Sequence, residues 1–169
     1  SACVIDAACH QPQGLVHRDY HSRNLMVPAG DAPLAVIDFQ DAIMGPVAYD
    51  AVSLLKDVYV VWPRPKQLVW LEYYWEHLVR EGQLGEGSWP QFIVWFDLIG
   101  LQRHVKILGV FSRLWLRDDK PSYMRDIPVV IAYVREACLL YRGSQPAIGV
   151  FWDWFEDSIM PTIERQDWY

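Results

Sequence analysis

Residues 15–38 read LVHRDYHSRNLMVPAGDAPLAVID. Leu15, Val16 and His17 form a short apolar lead-in to a charged run from Arg18 to Asn24, and two apolar runs follow, Leu25–Val27 and Leu34–Asp38. Each run has the length of a short strand. Between them, Pro28–Pro33 carries Gly30 and Asp31, a composition that turns a chain back on itself. The pattern predicts a β-hairpin that follows directly on a polar loop and ends at Asp38.

The chain beyond the hairpin reads as helix. Ala51, Leu54, Leu55 and Val58 recur at helical spacing after Pro46, a residue suited to an early helical position. Pro63 and Pro65 stop that helix, and the next is expected from about Lys66 to Glu81, closed by Gly82. Ser88 is a candidate N-cap for a long helix reaching about Arg117. After a loop holding Pro121, a fourth helix from about Ile127 to Arg142 lines up Ile127, Val130, Ile131, Val134 and Tyr141, and ends at Gly143. A last helix after Pro146 places Ile148, Phe151, Trp152 and Phe155 on one face. One hairpin and five helices make the fold class α+β, mainly α, with a helical bundle behind a loop.

The composition narrows the functional classes. The chain has 169 residues, enough for one globular domain over residues 1–169, and 52% of them are hydrophobic, too many for a disordered chain. No apolar run approaches the roughly 20 residues of a spanning helix, so no membrane partner is expected. The segment Ser1–His10 carries Asp6 and no Lys or Arg, unlike a secretory signal. Cys3, Cys9 and Cys138 are odd in number and lack metal-ligand spacing, which predicts reduced packing residues in a cytoplasmic protein. A net charge of −6 speaks against a nucleic-acid surface but not against a nucleotide, whose charge a cation can meet locally.

The loop carries the chemistry. In His17-Arg18-Asp19-Tyr20-His21-Ser22-Arg23-Asn24 an Asp precedes an Asn by five residues, and Asp38 completes the set at the hairpin end. This is the pattern of a kinase catalytic loop. Phosphoryl transfer needs a carboxylate to orient and deprotonate the attacking hydroxyl, and hard oxygen ligands for Mg²⁺. Asp19 is therefore the candidate base, with Asn24 and Asp38 as candidate metal ligands and ATP with Mg²⁺ as the expected nucleotide and ion. The competing reading is a polar loop followed by a strand that ends in a capping Asp.

His17 reads as a buried organiser of the loop. Arg18 reads either as a phosphate contact or as half of a structural ion pair, and His21 as a phosphate contact or a surface residue. Asp50 opens the helix after the hairpin and is expected to hold the loop by accepting its backbone hydrogen bonds. Only eleven residues separate Asp38 from Asp50, with no Ala-Pro-Glu among them, which leaves no room for a peptide-docking activation segment. A small-molecule acceptor is expected.

The strings VHRDYHSRNLMV and IDFQDAIMGPVAYDAVSLLKD resemble the two signature segments of the aminoglycoside phosphotransferase and choline kinase superfamily. Further on, WFDLIGLQRHVKILGVFSRL and RDDKPSYMRDIP resemble its bacterial branch of amino-sugar anomeric kinases in cell-wall recycling. The resemblance runs from about Leu15 to Tyr141. It implies a protein-kinase-like C-terminal lobe and ATP-dependent phosphorylation of the C1 hydroxyl of N-acetylmuramate and N-acetylglucosamine. Asp19 would be the base, and Asn24 and Asp38 the magnesium ligands. Asp97, Gln102, Arg103, His104, Lys106 and Arg113 form a polar set on an otherwise apolar helix. They read either as one solvated face or as a sugar-facing row, with Arg103 or Lys106 paired to the lactyl carboxylate of N-acetylmuramate.

Kinases of this kind also have an N-terminal lobe with a phosphate-covering loop and a Lys. This chain starts about eighteen residues before Asp19, so that lobe is expected to be missing from it and to pack on it. Two rival readings are an aminoglycoside or other small-alcohol phosphotransferase and a non-catalytic binding module. Basic residues facing the acceptor would weigh against a polycationic substrate, and the complete Asp19, Asn24 and Asp38 set weighs against a decayed site.

Overall fold

The computed structural model describes residues 2–169. They form two compact units, one over Asp6–Ile99 and one over Gly100–Tyr169 together with the N-terminal residues up to Ile5. The protein is α+β and mainly α. In chain order the elements are α1 (Ala2–Cys9), β1 (Gln13–Val16), β2 (Leu25–Met26), β3 (Ala35–Val36), β4 (Ile43–Pro46), α2 (Ala48–Leu55), α3 (Arg64–Arg80), α4 (Trp89–Leu116), α5 (Ile127–Tyr141), α6 (Pro146–Ser158) and α7 (Met160–Ile163). No helix among the described residues is long and apolar enough to cross a membrane.

In the unit over Asp6–Ile99, two antiparallel pairs frame the polar loop. β2 and β3 form the expected hairpin with Leu25 opposite Val36 and Met26 opposite Ala35, shorter than the apolar runs suggest. β1 and β4 pair from Gln13 opposite Pro46 to Val16 opposite Ile43. The whole excursion from His17 to Ala42 thus leaves and rejoins one ladder. Approach at this ladder is close, since a Cβ on Gly45 would lie 3.2 Å from Val16 Cγ2.

The helices of this unit bury one stripe each. α2 contributes Ala48, Val52 and Leu55, α3 contributes Leu71 and Leu78, and α4 contributes Phe92, Phe96 and Ile99. These are spacings of three, four and seven residues, the period of one helix face. Each fully buried Leu or Phe contributes about 1.5–3 kcal/mol relative to exposure.

Several boundaries differ from those expected. Pro46 is the last residue of β4 and not an early helical residue. α2 ends at Leu55, before Val58, because the Asp57 carboxylate accepts the Tyr59 N–H at 3.0 Å and draws the chain out of the helix. Val58 is buried nonetheless. α3 starts at Arg64 with Pro65 in its first turn, where a missing N–H costs nothing. It is closed by Gly82 at φ 70°, a conformation that favours glycine. α1, α7 and the β1–β4 pairing have no counterpart in the sequence reading.

In the other unit the expected α5 stripe of Ile127, Val130, Ile131, Val134 and Tyr141 is buried, as are Ile148, Trp152 and Phe155 on α6. Phe151 is half-buried. Among the described residues Cys3, Cys9 and Cys138 form no disulfide. Cys138 is a packing residue whose burial pushes its thiol up to about 12, whereas Cys9 is exposed and Cys3 half-buried.

Candidate active site

The chain leaves β1 at Val16 and turns at once. The backbone N–H of His17 donates to Asp50 Oδ2 at 2.7 Å, and that of Arg18 donates to Asp50 Oδ1 at 3.1 Å. Asp50 lies in the first turn of α2, where the helix dipole also favours a carboxylate. Arg18 has φ 75°, a left-handed conformation that costs a non-glycine residue about 1–2 kcal/mol. The two charge-assisted bonds to Asp50 offset that cost and hold the bend. Asp50 thus accepts two hydrogen bonds from the loop backbone.

The bend sets up Asp19. Its carbonyl accepts the His21 N–H at 2.9 Å and the Asn24 Nδ2–H at 2.9 Å, so the loop closes on its own backbone. The Asp19 side chain is exposed, and its carboxylate takes no hydrogen bond among the described residues. His17 Nε2 lies 2.9 Å from the Ile37 carbonyl. A carbonyl only accepts, so this nitrogen carries the proton and ties the loop to the hairpin end. The Arg18 guanidinium donates to the Asp41 carbonyl at 3.4 Å.

Asn24 and Asp38 meet through the hairpin. The Ile37 N–H donates to the Asn24 carbonyl at 3.1 Å, and Asn24 Nδ2 lies 3.5 Å from Asp38 Oδ2. Asp38 has φ 65°, and Gln40 Nε2 donates to its Oδ1 at 2.6 Å. These residues fit Mg²⁺. The Asn24 amide oxygen has no partner among the described residues, and the Asp38 carboxylate takes only neutral amide donors. One carboxylate and one carbonyl oxygen form the kind of sparse protein set on which Mg²⁺ completes its octahedron with water and phosphate oxygens.

Two supporting residues lie outside the set expected from the sequence. Buried Asp57 accepts the Ser22 N–H at 3.0 Å and the Ser22 hydroxyl at 2.6 Å, anchoring the turn Ser22–Asn24. Its one sequence signal is its place just past the end of α2, where the helix dipole disfavours an acid and a different partner must hold it. Gln40 restrains Asp38. His21 packs edge-on against Tyr59 at 5.7 Å and is half-buried, while the Arg23 guanidinium lies 3.4 Å from the centre of the same ring.

The sequence pattern of a phosphotransferase enzyme family matches residues 3–86, the part of the chain that carries this loop, hairpin and supporting helix. Over that stretch, just under half of the chain, the sequence is similar to that family. It is also similar to proteins named N-acetylmuramate/N-acetylglucosamine kinase. The one from Pseudomonas putida is 43% identical over 80% of this chain and 40% of its own length, and the one from Pseudomonas aeruginosa 41% identical over 79% and 39%. The Neisseria meningitidis protein of that name is 37% identical over 90% of this chain and 45% of its own length. The chain therefore spans less than half the length of these relatives.

The polar set of α4 is not one row, which corrects the sequence expectation. Asp97 is fully buried. Lys56 Nζ donates to its Oδ1 at 2.8 Å, and Arg64 donates to both oxygens, at 2.9 and 2.7 Å. Burial alone would raise the Asp97 carboxyl, but the Arg64 hydrogen bond and the Lys56 charge outweigh it and hold it below the usual carboxylate range. His104 is also buried, with Nδ1 2.7 Å from the Gly100 carbonyl and its ring stacked on Tyr133 at 4.6 Å. Gln102 and Lys106 are exposed and line a shallow groove of about 380 Å³, Arg103 is half-buried, and Arg113 is exposed. Asp97 and His104 are thus buried and held by protein partners.

Proposed function

We propose that this chain is the catalytic, metal-binding C-terminal lobe of a cytoplasmic, ATP- and Mg²⁺-dependent kinase. Its acceptor is the C1 hydroxyl of N-acetylmuramate and N-acetylglucosamine, as in cell-wall recycling. The observation that carries the reading is the exposed Asp19 carboxylate, without a partner among the described residues, on the loop whose Asn24 reaches Asp38. Asp19 orients the acceptor hydroxyl and takes its proton as the sugar oxygen bonds to the γ-phosphorus and the bond to the ADP oxygen breaks. A C1 hydroxyl is hemiacetal and more acidic than an ordinary alcohol, so one carboxylate suffices as base. Asn24 and Asp38 would hold the magnesium, which would supply positive charge against the phosphates.

The kinase names of the relatives support the activity, and their amino-sugar names support the acceptor. Their greater length leaves room for a nucleotide-covering lobe. An apolar strip around the hairpin, including Met26, Val27, Ile37 and Phe39, is exposed and suited to such a cover.

The test is a panel of acceptors given to the full-length protein with ATP, the phosphate position being read by NMR. Sugar 1-phosphates are expected from both N-acetyl sugars, and almost none from kanamycin-like cations. Phosphate at C6, or a preference for aminoglycosides, would overturn the acceptor assignment. Asn24→Ala and Asp38→Ala are expected to raise the Mg²⁺ concentration needed for half-maximal turnover far more than the sugar KM.

A further inference from the structure

A cleft of about 560 Å³ opens beside the catalytic loop, a size within the roughly 300–1,000 Å³ of small-molecule sites. It is lined by Tyr20, Asp50, Ala51, Leu54, Leu55, Trp62, Trp70 and Tyr74. Two of these tie it to the chemistry. Tyr20 follows Asp19 in the chain, and the Asp50 carboxylate holds the His17 and Arg18 amides. α3 supplies one wall, and on it Lys66, Trp70 and Tyr74 recur every fourth residue on one face.

The wall is aromatic. Trp62 and Trp70 meet edge to face at 4.9 Å. The Tyr74 hydroxyl donates to the Val47 carbonyl at 3.1 Å, and burial together with the Asp50 charge keeps this phenol protonated. The Lys66 ammonium lies 4.4 Å from the Trp62 ring centre and 4.8 Å from that of Trp70. No carboxylate among the described residues pairs with Lys66.

We propose that this cleft is the acceptor subsite, in which Trp62 and Trp70 pack on the apolar face of an N-acetylated pyranose and Lys66 selects the acid-bearing sugar. The inference rests on the kinase reading above and relocates the sugar contacts from α4 to the α2–α3 wall. A pyranose presents a face of C–H groups that packs on indole, whereas its hydroxyls need water or a few polar groups at the rim. The acetyl methyl fits the apolar floor of Ala51, Leu54 and Leu55. N-acetylmuramate differs from N-acetylglucosamine by a lactyl carboxylate, and the Lys66 ammonium, beside the Trp62 and Trp70 rings that line the cleft, would meet it at the rim.

The experiment is steady-state kinetics of the full-length protein and two variants, Trp70→Leu and Lys66→Met, with N-acetylmuramate, N-acetylglucosamine and ATP varied in turn. Trp70→Leu is expected to raise the KM of both sugars about tenfold while the ATP KM stays within about twofold, as loss of one stacking ring implies. Lys66→Met is expected to raise the N-acetylmuramate KM about tenfold and leave that of N-acetylglucosamine unchanged. Lys66 is exposed, so its variant decides the matter even if Trp70→Leu does not fold. Unchanged sugar KM values in Lys66→Met, or equal rises for both sugars, overturn the assignment while wild-type turnover leaves the kinase reading standing. A wild-type protein that phosphorylates neither sugar overturns that reading and the subsite with it.

Discussion

Asp19 stands exposed at the bend of a loop, held by hydrogen bonds to its backbone carbonyl, with its carboxylate left open. Asp97, in the same unit, is sealed in the helical core with Arg64 on both oxygens and Lys56 on one. Between these extremes, Asp50 and Asp57 spend their carboxylates on loop backbone. A carboxylate proposed to receive a substrate proton, as Asp19 is, has to be fixed in place yet unsatisfied. Here neighbouring acids do the fixing. A carboxylate in the core must instead be fully satisfied, because an unpaired buried charge is among the costliest features a fold can carry.

The comparison predicts that stability and chemistry separate cleanly between the two regions. Asp97→Asn strands the buried Lys56 ammonium and the Arg64 guanidinium, and should cost about 3–5 kcal/mol of unfolding free energy. Denaturant midpoints of the full-length protein measure this. The fraction that stays folded should keep its turnover. A loss below about 1 kcal/mol would show that Lys56 and Arg64 are not left as uncompensated buried charges.

Asp19→Asn should do the reverse, lowering turnover at least about a hundredfold with an unmoved unfolding midpoint. Near-normal turnover at saturating ATP and sugar would remove Asp19 as the base.

Asp50→Asn sharpens the middle ground. It keeps the shape but leaves one acceptor oxygen for two backbone N–H groups at the strained Arg18 bend, so one bond weakens and the other is lost to an NH2 donor. About 1–3 kcal/mol of stability should be lost, because one backbone N–H is left unsatisfied. Turnover should drop about tenfold through misplacement of Asp19, a smaller loss than that of the base itself. An effect on stability without one on turnover would separate the bend from the chemistry.

The smallest effect is in pH. The Asp97 carboxyl is held below its ordinary value of 3.8 in the folded protein, so its ionised form stabilises the fold fully above about that pH. The contribution is lost as pH falls through the lower folded value. The stability gap between wild type and Asp97→Asn should be flat from about pH 5 to 7 and narrow below about pH 4. A gap that widens toward acid would reverse the sign assigned here.

What the sequence determined by itself was local. Asp19 and Asn24 lie five residues apart and Asn24 and Asp38 fourteen apart, joined by a hairpin whose turn chemistry is visible in Gly30 and Asp31. The stripes on α5 and α6 were legible for the same reason, because 3.6 residues per turn fixes which side chains share a face. Tertiary structure decided the rest. The β1–β4 pairing joins Gln13 to Pro46 through strands of four residues with little alternation to announce them. Asp57 meets Ser22 across thirty-five positions, and Asp97 meets Lys56 across forty-one. Helical spacing places a polar residue on a face but not that face against solvent or core. Only the packing of Lys56 and Arg64 turned Asp97 inward, and only the facing of α2 and α3 gathered Trp62, Trp70 and Tyr74 beside the loop.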